Sequence, residues 1–344
     1  MTEAAAASVR VMTPEEIAAR AGGETAFLHP PQRGTLFAER AMRLRQLARG
    51  HAMGDYLLFM ADLAQAQQRR LEAFPSVPLP DAAALDRAFG MGRPPLPAAD
   101  WPRDPAWHGA ARQIAADLQR GAPPGAKAAL DVAAQADADW LERQADCLLT
   151  GVMEGLDLAT APLVAAALQV YWTHMATALL AQPPERGAPF GRIDDETACP
   201  CCGSRPTASI TRSSGESLGQ RYLHCSLCGL QWHMVRIKCP SCLSTKRMAY
   251  QSLDTAGADD GGEGGEGGRS RAASAALQAE TCDDCHSYLK IMHTDRDPFV
   301  EPVADDLASV TLDLLVSDAG YQRHGVNLML LFGAPEAPPP DPGP

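Results

Sequence analysis

The chain has 344 residues and a formal net charge of −12, with 46% hydrophobic and 21% charged residues. That composition excludes a disordered or collagen-like chain and predicts two or three domains. The bulk acidity argues against a nucleic-acid or anionic-membrane binder, and the 6% aromatic content calls for a core of Ala, Leu and Val, which favours packed helices.

The N-terminal stretch MTEAAAASVRVMTPEEIAARAGG has no basic segment followed by an apolar one, so neither a secretory nor a twin-arginine signal is expected. Helices are predicted over Phe37–Arg49, ended by Gly50, and over Asp55–Ala73. A Pro-rich connector is predicted from Phe74 to Asp104. Another helix is predicted over Ala126–Leu149, with Ala129, Ala133, Ala136, Trp140 and Cys147 as a buried stripe. The segment from Leu158 to Pro184 has no formal charge, yet Pro162, Gln169 and His174 interrupt it. It is expected to be the central helix of a bundle rather than a membrane span, with His174 a satisfied core histidine.

After Pro189 the pattern changes to short β-type runs: Pro206–Arg212, Leu218–His224, Leu230–Lys238, Lys246–Leu253, Ala276–Thr281 and Ser287–His293. The Gly-rich acidic tract between Ala256 and Ser274 cannot bury a core and is expected to be a loop tip. From Pro302 a helix is predicted with Leu307, Val310, Leu314 and Leu315 on one side, before a Pro-rich tail. The expected class is α+β: a helical domain at 1–190, tandem tetrathiolate ribbons of the zinc-ribbon or rubredoxin type at 191–300, a C-terminal helical segment at 301–332, and a disordered tail at 333–344.

Nine of the ten cysteines fall between Cys199 and Cys285. Eight form four successive C-x-x-C pairs: Cys199/Cys202, Cys225/Cys228, Cys239/Cys242 and Cys282/Cys285. Two thiolates on one tight turn can share an ion, and two such turns complete a tetrahedral site. Eight thiolates therefore predict two metal ions per chain. The spacings favour consecutive pairing, because 22 residues between Cys202 and Cys225 suffice for a hairpin and 39 separate Cys242 from Cys282. A crossed arrangement, first pair with third and second with fourth, is the alternative. Gly203 and Gly229 follow the first two pairs, where a knuckle needs positive φ. Leu243 and His286 stand there in the other two, which predicts less regular knuckles. Cys201 is expected to be a bystander, with replacement of a neighbouring ligand as the alternative. Cys147 is expected to be a small buried hydrophobe, and His224, His233 and His286 are not needed as ligands. An S₄ set suits zinc and iron alike.

Arg205, Arg212, Arg221, Arg236, Lys238, Lys246 and Arg247, against the single acid Glu216, make the ribbon segment basic inside an acidic chain. These cations would favour deprotonated sulfurs; contact with an acidic partner is the alternative. No Ser/His/Asp set, paired-carboxylate motif, P-loop or dinucleotide fingerprint appears. The adjacent Asp305 and Asp306 are expected to complement a helix dipole, with a partner contact as the alternative.

The segments GQRYLHCSLCGLQWHMVRIKCPSC (219–242), CDDCHSYLK (282–290) and ADDLASVTLDLL (304–315) carry a resemblance, together with Tyr321, Arg323, Asn327 and AERAMRLRQLARGHAMGDYLLFMADLAQAQ (38–67). The chain resembles the formate dehydrogenase accessory protein family, FdhE, over nearly its whole length. Its departures are the extra Cys201 and the Gly-rich insertion. The resemblance implies a cytoplasmic, non-enzymatic assembly factor that binds the catalytic subunit of respiratory formate dehydrogenase before twin-arginine export. It also implies that the C-x-x-C pairs hold rubredoxin-like iron, with zinc as the alternative. It implies neither nucleic-acid binding nor membrane insertion. A redox or electron-transfer protein is the second reading, and a DNA-binding zinc ribbon the third.

Overall fold

Two amphipathic helices, Leu36–Leu47 (α1) and Gly54–Glu72 (α2), open the helical half and bury Phe37, Leu44, Leu57, Met60 and Leu63. The structure is a computed structural model that describes residues 25–182, 188–214, 217–252 and 275–331. The expectations for the N-terminal stretch, the Gly-rich tract and the tail lie outside those residues.

The Pro-rich connector holds a short helix, Ala82–Gly90 (α3), capped by the Asp81 carboxylate, which accepts from the Ala84 N–H at 2.7 Å. Ala106–Leu118 (α4) follows. The single helix expected over Ala126–Leu149 is two, Pro124–Gln135 (α5) and Ala138–Thr150 (α6). Ala136 turns to an extended ψ of 134°, and the Asp137 carboxylate then accepts from the Trp140 N–H at 2.7 Å to start α6. The break rotates the buried face to Leu141, Gln144 and Ala145, so Cys147 is only partly covered rather than buried.

Ala161–Leu180 (α7) is apolar on every side, as expected of a helix surrounded by protein. It is the one helix among the described residues long and apolar enough to cross a membrane, but 83% of that window is buried. It packs against α2 and α4, and its buried Trp172 donates to the Leu96 carbonyl of the connector at 3.1 Å. His174 is buried there, and the Arg33 guanidinium donates to its Nδ1 at 2.9 Å.

The strands are Leu28–His29 (β1), Pro206–Ser214 (β2), Ser217–Cys225 (β3), Gln231–His233 (β4), Met248–Gln251 (β5), Leu277–Cys282 (β6), Ser287–His293 (β7) and Gln322–Arg323 (β8). They form one mixed sheet in the order β1-β4-β3-β2-β7-β6-β5, with β8 beside β7. The two ribbons are joined: β2 and β7 pair in parallel, with Ser209 opposite Ile291 and Thr211 opposite His293. The run expected over Leu230–Lys238 ends at His233. The buried Arg221 guanidinium pulls the following turn in, donating to the carbonyls of Arg236 (3.1 Å) and Lys238 (2.9 Å).

The C-terminal helix is also two, Pro302–Ala308 (α8) and Val310–Asp318 (α9), broken at Ser309. The break turns Leu312, Asp313 and Val316 inward and leaves Leu314 and Leu315 exposed, reversing the expected face. The fold is α+β, as expected: a helical part, a mixed sheet and two cysteine groups.

Burial, and then the Arg33 charge, lowers the His174 pKa to about 4. Above its ordinary value the histidine is neutral in both folded and unfolded chains. As pH falls from about 6.5 towards 4, the unfolded chain takes the proton first, so this contribution to stability is lost across that window. Thermal melts should therefore show a falling Tm over that range. Substitution H174Q, which keeps an acceptor for Arg33 but does not titrate, should reduce the slope to the part carried by other buried histidines such as His293 and His324; an unchanged slope would contradict the assignment.

Candidate metal centres

The eight paired cysteines gather consecutively into two groups of four. Cys199, Cys202, Cys225 and Cys228 form one group, and Cys239, Cys242, Cys282 and Cys285 the other; within each, the sulfurs lie within 4.8 Å of one another. In the first, Cys199 and Cys228 sulfurs are 3.6 Å apart and Cys202 and Cys225 sulfurs 3.5 Å. In the second, Cys239 to Cys285 and Cys242 to Cys282 are each 3.8 Å. A disulfide would be about 2.05 Å. Four sulfurs at the corners of a tetrahedron with metal–sulfur bonds of about 2.3 Å stand roughly 3.8 Å apart. The donor set and spacing thus suit a metal ion at each group, and the crossed arrangement does not occur.

Each knuckle is built by its local backbone. In the first, the Cys199 N–H donates to the Ser204 carbonyl at 3.0 Å and the Gly203 N–H to the Cys199 carbonyl at 2.8 Å. In the second, the N–H groups of Leu227 and Cys228 both point at the Cys225 sulfur at 3.4 Å. Gly203 (φ 75°) and Gly229 (φ 72°) make the left-handed step. Contrary to the expectation of irregularity, the other two knuckles make it as well, through Leu243 (φ 63°) and His286 (φ 52°). The third knuckle repeats the first: the Cys239 N–H donates to the Ser244 carbonyl at 2.7 Å and the Leu243 N–H to the Cys239 carbonyl at 3.1 Å.

The surroundings of the two groups differ. The first lies inside the main hydrophobic core, with all four cysteines at 0–1% exposure. Helix α7 closes over it: Gln169 donates to the Ser226 carbonyl at 2.7 Å and Thr173 to the Cys228 carbonyl at 3.3 Å. The Leu96 and Ala98 N–H groups bind the carbonyls of Cys201 and Cys202 at 3.0 and 2.8 Å. Cys201 is buried beside this group but outside the set of four, and burial pushes its thiol up to about 11. In the second group Cys239 and Cys282 are buried, Cys285 is partly covered and Cys242 is exposed. Burial raises the Cys285 thiol, but hydrogen bonds from Ser287 and the neighbouring sulfurs outweigh it and bring the group to about 7.

The basic segment is not wholly a surface. Arg221 is fully buried and pairs at 3.2 Å with the equally buried Glu280, which also accepts from Ser209 at 2.8 Å. Arg212 donates to Gln231 at 2.7 Å, and Lys238 pairs with Glu196 at 2.6 Å. Arg205, Arg236, Lys246 and Arg247 remain exposed. His224 is buried against Gln231, and none of His224, His233 and His286 joins a cysteine group.

The adjacent acids are more than helix-dipole partners. Asp305 takes the Arg43 guanidinium at 2.6 Å, while Arg40 pairs with Glu301 at 3.1 Å; both tie α1 to α8. Asp306 receives Arg323 at 2.6 Å and Asn327 at 2.8 Å. The buried Lys290 ammonium lies 2.5 Å from Asp313 and donates to the Asp306 carbonyl at 2.8 Å. Burial opposes ionisation of Asp306, yet Lys290 and Arg323 hold its carboxyl below the usual range. Periodicity could not find this clasp, because its partners lie far apart in the chain.

These observations define a class: a helical domain closed over a fused ribbon sheet that carries two tetracysteine groups, each able to hold a metal ion. Three family models match in succession, FdhE N-terminal over residues 25–187, FdhE central domain over 198–236 and FdhE C-terminal domain over 237–330. The FdhE homolog of Serratia proteamaculans (strain 568) is 37% identical over 332 residues, covering 95% of this chain and all of the relative. That of Yersinia enterocolitica is 37% identical over 331 residues, covering 95% and 99%. The crystal structure of the FdhE protein from Pseudomonas aeruginosa superposes with a TM-score of 0.76 at 37% identity, covering 90% of this chain and all of that one. The chain belongs to the FdhE family.

Removing one partner of a buried ion pair outright costs about 3–5 kcal/mol. Substitution D306A leaves Lys290 and Arg323 with Asp313 as the carboxylate they share and should lower unfolding stability in urea denaturation by up to about that amount. A wild-type midpoint would show that the clasp does not couple the sheet to α8.

Proposed function

We propose that the chain is a non-enzymatic maturation factor for respiratory formate dehydrogenase. It acts in the cytoplasm on the catalytic subunit and holds one metal ion at each tetracysteine group. The observation that carries this reading is the match to all three FdhE family models by a chain with both sulfur tetrads assembled. Cys199, Cys202, Cys225 and Cys228 are the ligands of one ion, and Cys239, Cys242, Cys282 and Cys285 those of the other. Iron is the ion this reading favours and zinc the alternative, since tetrahedral sulfur sites suit both. When bound, an ion of either kind ties together the two knuckle turns of its site, and iron adds the capacity to take up or release one electron.

The residues divide the work. The helical part, up to residue 190, seats the first site, and the segment 191–300 supplies the thiolates. The segment 301–332 clamps sheet to helices through Asp305 and Asp306. Exposed Arg205, Arg236, Lys246 and Arg247 give the metal-binding half a basic face for an acidic patch on the subunit. The open edge at Cys242 favours, as a second reading, electron transfer through an iron site.

Affinity capture with the tagged full chain, from cells producing the dehydrogenase, should retain the catalytic subunit. Metal analysis of the same sample should give two ions per chain. A red protein with sulfur-to-iron charge-transfer bands identifies iron, and a colourless one with two zinc ions identifies zinc and removes the electron-transfer reading. Failure to retain the subunit would refute the maturation role, and retention by a variant lacking all eight thiols would refute the part given to the metal sites.

A further inference from the structure

We infer that the two tetracysteine groups are unequal in kind. The first is a closed site whose ion is retained for the life of the fold, and the second is an open site that exchanges its ion with external sulfur or chelating ligands through the Cys242 edge. The inference rests on the metal-binding reading above and adds to it a division of labour that the order of the cysteines does not contain.

Three independent features separate the sites. The first is enclosure. All four sulfurs of the first group belong to the main hydrophobic core, whereas none of the second group belongs to any apolar cluster among the described residues. The second feature is the roof. On the helical side the first group is closed by α7, whose Gln169 and Thr173 bind its second knuckle, and by the Leu96–Ala98 strap on its first. Those contacts sit in the most buried part of the protein, so opening there approaches global unfolding. Among the described residues no helical side chain binds the knuckles of the second group, and its fourth knuckle is met by the Gln322 N–H, which donates to the His286 carbonyl at 2.7 Å. This group lies at the far end of the sheet, where β5 is the edge strand and its Ala249 and Tyr250 are exposed. The third feature is the support of its knuckles. Tyr321 donates to Asp283 at 2.7 Å, and Ser244 donates to Asp284; these are surface side-chain contacts that local motion can break.

The chemistry at the open edge is ligand substitution. An incoming thiol gives up its proton and its sulfur binds where Cys242 lets go. The displaced Cys242 sulfur takes a proton, and no electrons are transferred. Cys239 and Cys282 are buried and Cys285 partly covered, so these three ligands can hold the ion while the exposed Cys242 position turns over. Around the same edge stand exposed Val235 and Ile237, at 54% and 60% exposure, with Arg236 between them. Ligands delivered by a protein would meet this surface first.

The test uses the full chain loaded with two equivalents of zinc and challenged with the chromophoric chelator 4-(2-pyridylazo)resorcinol. One equivalent should leave in a fast phase. The other should leave at least about tenfold more slowly, equivalent to a barrier higher by ~1.4 kcal/mol, and at the rate of unfolding. Iodoacetamide labelling of the loaded chain, mapped by mass spectrometry, should reach Cys242 and Cys285 well before any of Cys199, Cys202, Cys225 and Cys228. Substitution C242S should abolish the fast equivalent and leave the slow one in a folded protein. Release of both equivalents in one phase, earlier labelling of the first group, or loss of the slow equivalent in C242S would overturn the inequality while leaving metal binding intact. A chain that binds no zinc, iron or other divalent ion at either group would overturn both.

Discussion

The structure depends above all on the seating of the first four cysteines in the same apolar core as the helices. Cys199 and Cys202 arrive from the loop before β2, and Cys225 and Cys228 from the end of β3 and the turn after it. The second knuckle presents its carbonyls to α7 and the first presents its own to the Leu96–Ala98 backbone. A buried carbonyl without a donor would cost free energy comparable to a lost hydrogen bond. Gln169, Thr173 and the Leu96–Ala98 backbone therefore do more than decorate the site: they make it compatible with burial. The Gln67 side chain, donating to Gln169 at 2.8 Å, orients that amide from α2. Helical packing and metal-site geometry are thus one problem with one solution.

From this anchored end the rest of the sheet is positioned by buried polar groups. The parallel β2–β7 pairing carries the second ribbon, and the fully buried Arg221–Glu280 pair crosses between ribbons at their junction. Buried ion pairs are weak sources of net stability because desolvation opposes the Coulomb gain. Their effect is specificity: Arg221, with Glu280 and the carbonyls of Arg236 and Lys238 as its acceptors, admits one arrangement of the ribbons. Asp305, Asp306 and Asp313 do the same between the sheet, α8 and α1. The outer cysteine group, held by this second tier of contacts, is left with an open edge. The inner group has none.

Much of this was legible from residue order. The C-x-x-C spacing picked out eight of the nine clustered thiols, because a knuckle is a local object whose geometry depends on adjacent residues, and the longer spacings favoured consecutive grouping over the crossed one. The uncharged 158–184 segment announced a core helix. Legibility failed where a single local geometry interrupts a pattern. Ala136 and Ser309 each break a run that periodicity would carry through, and the faces beyond them rotate. Cys147 moved out of the core for that reason and came to line a cavity of about 440 Å³ beside Gly203 and Leu227. Leu243 and His286 show the opposite case, since residues that disfavour the left-handed region adopt it when a knuckle demands it.

By itself the sequence determined the residue types and their local spacing: eight thiols in four turns, a helical first half, a β-rich second half, and an acidic chain with a basic segment inside it. Only the tertiary structure decided which thiols are enclosed and which face solvent, and which members of that basic segment are buried in ion pairs. It also decided that the neighbouring aspartates clasp three parts of the chain together. The physical reason is the range of the interactions involved. Turn geometry and thiolate spacing act over a few residues, whereas burial and ion pairing join groups as distant as Arg43 and Asp305, whose proximity exists only once the helices and sheet have packed.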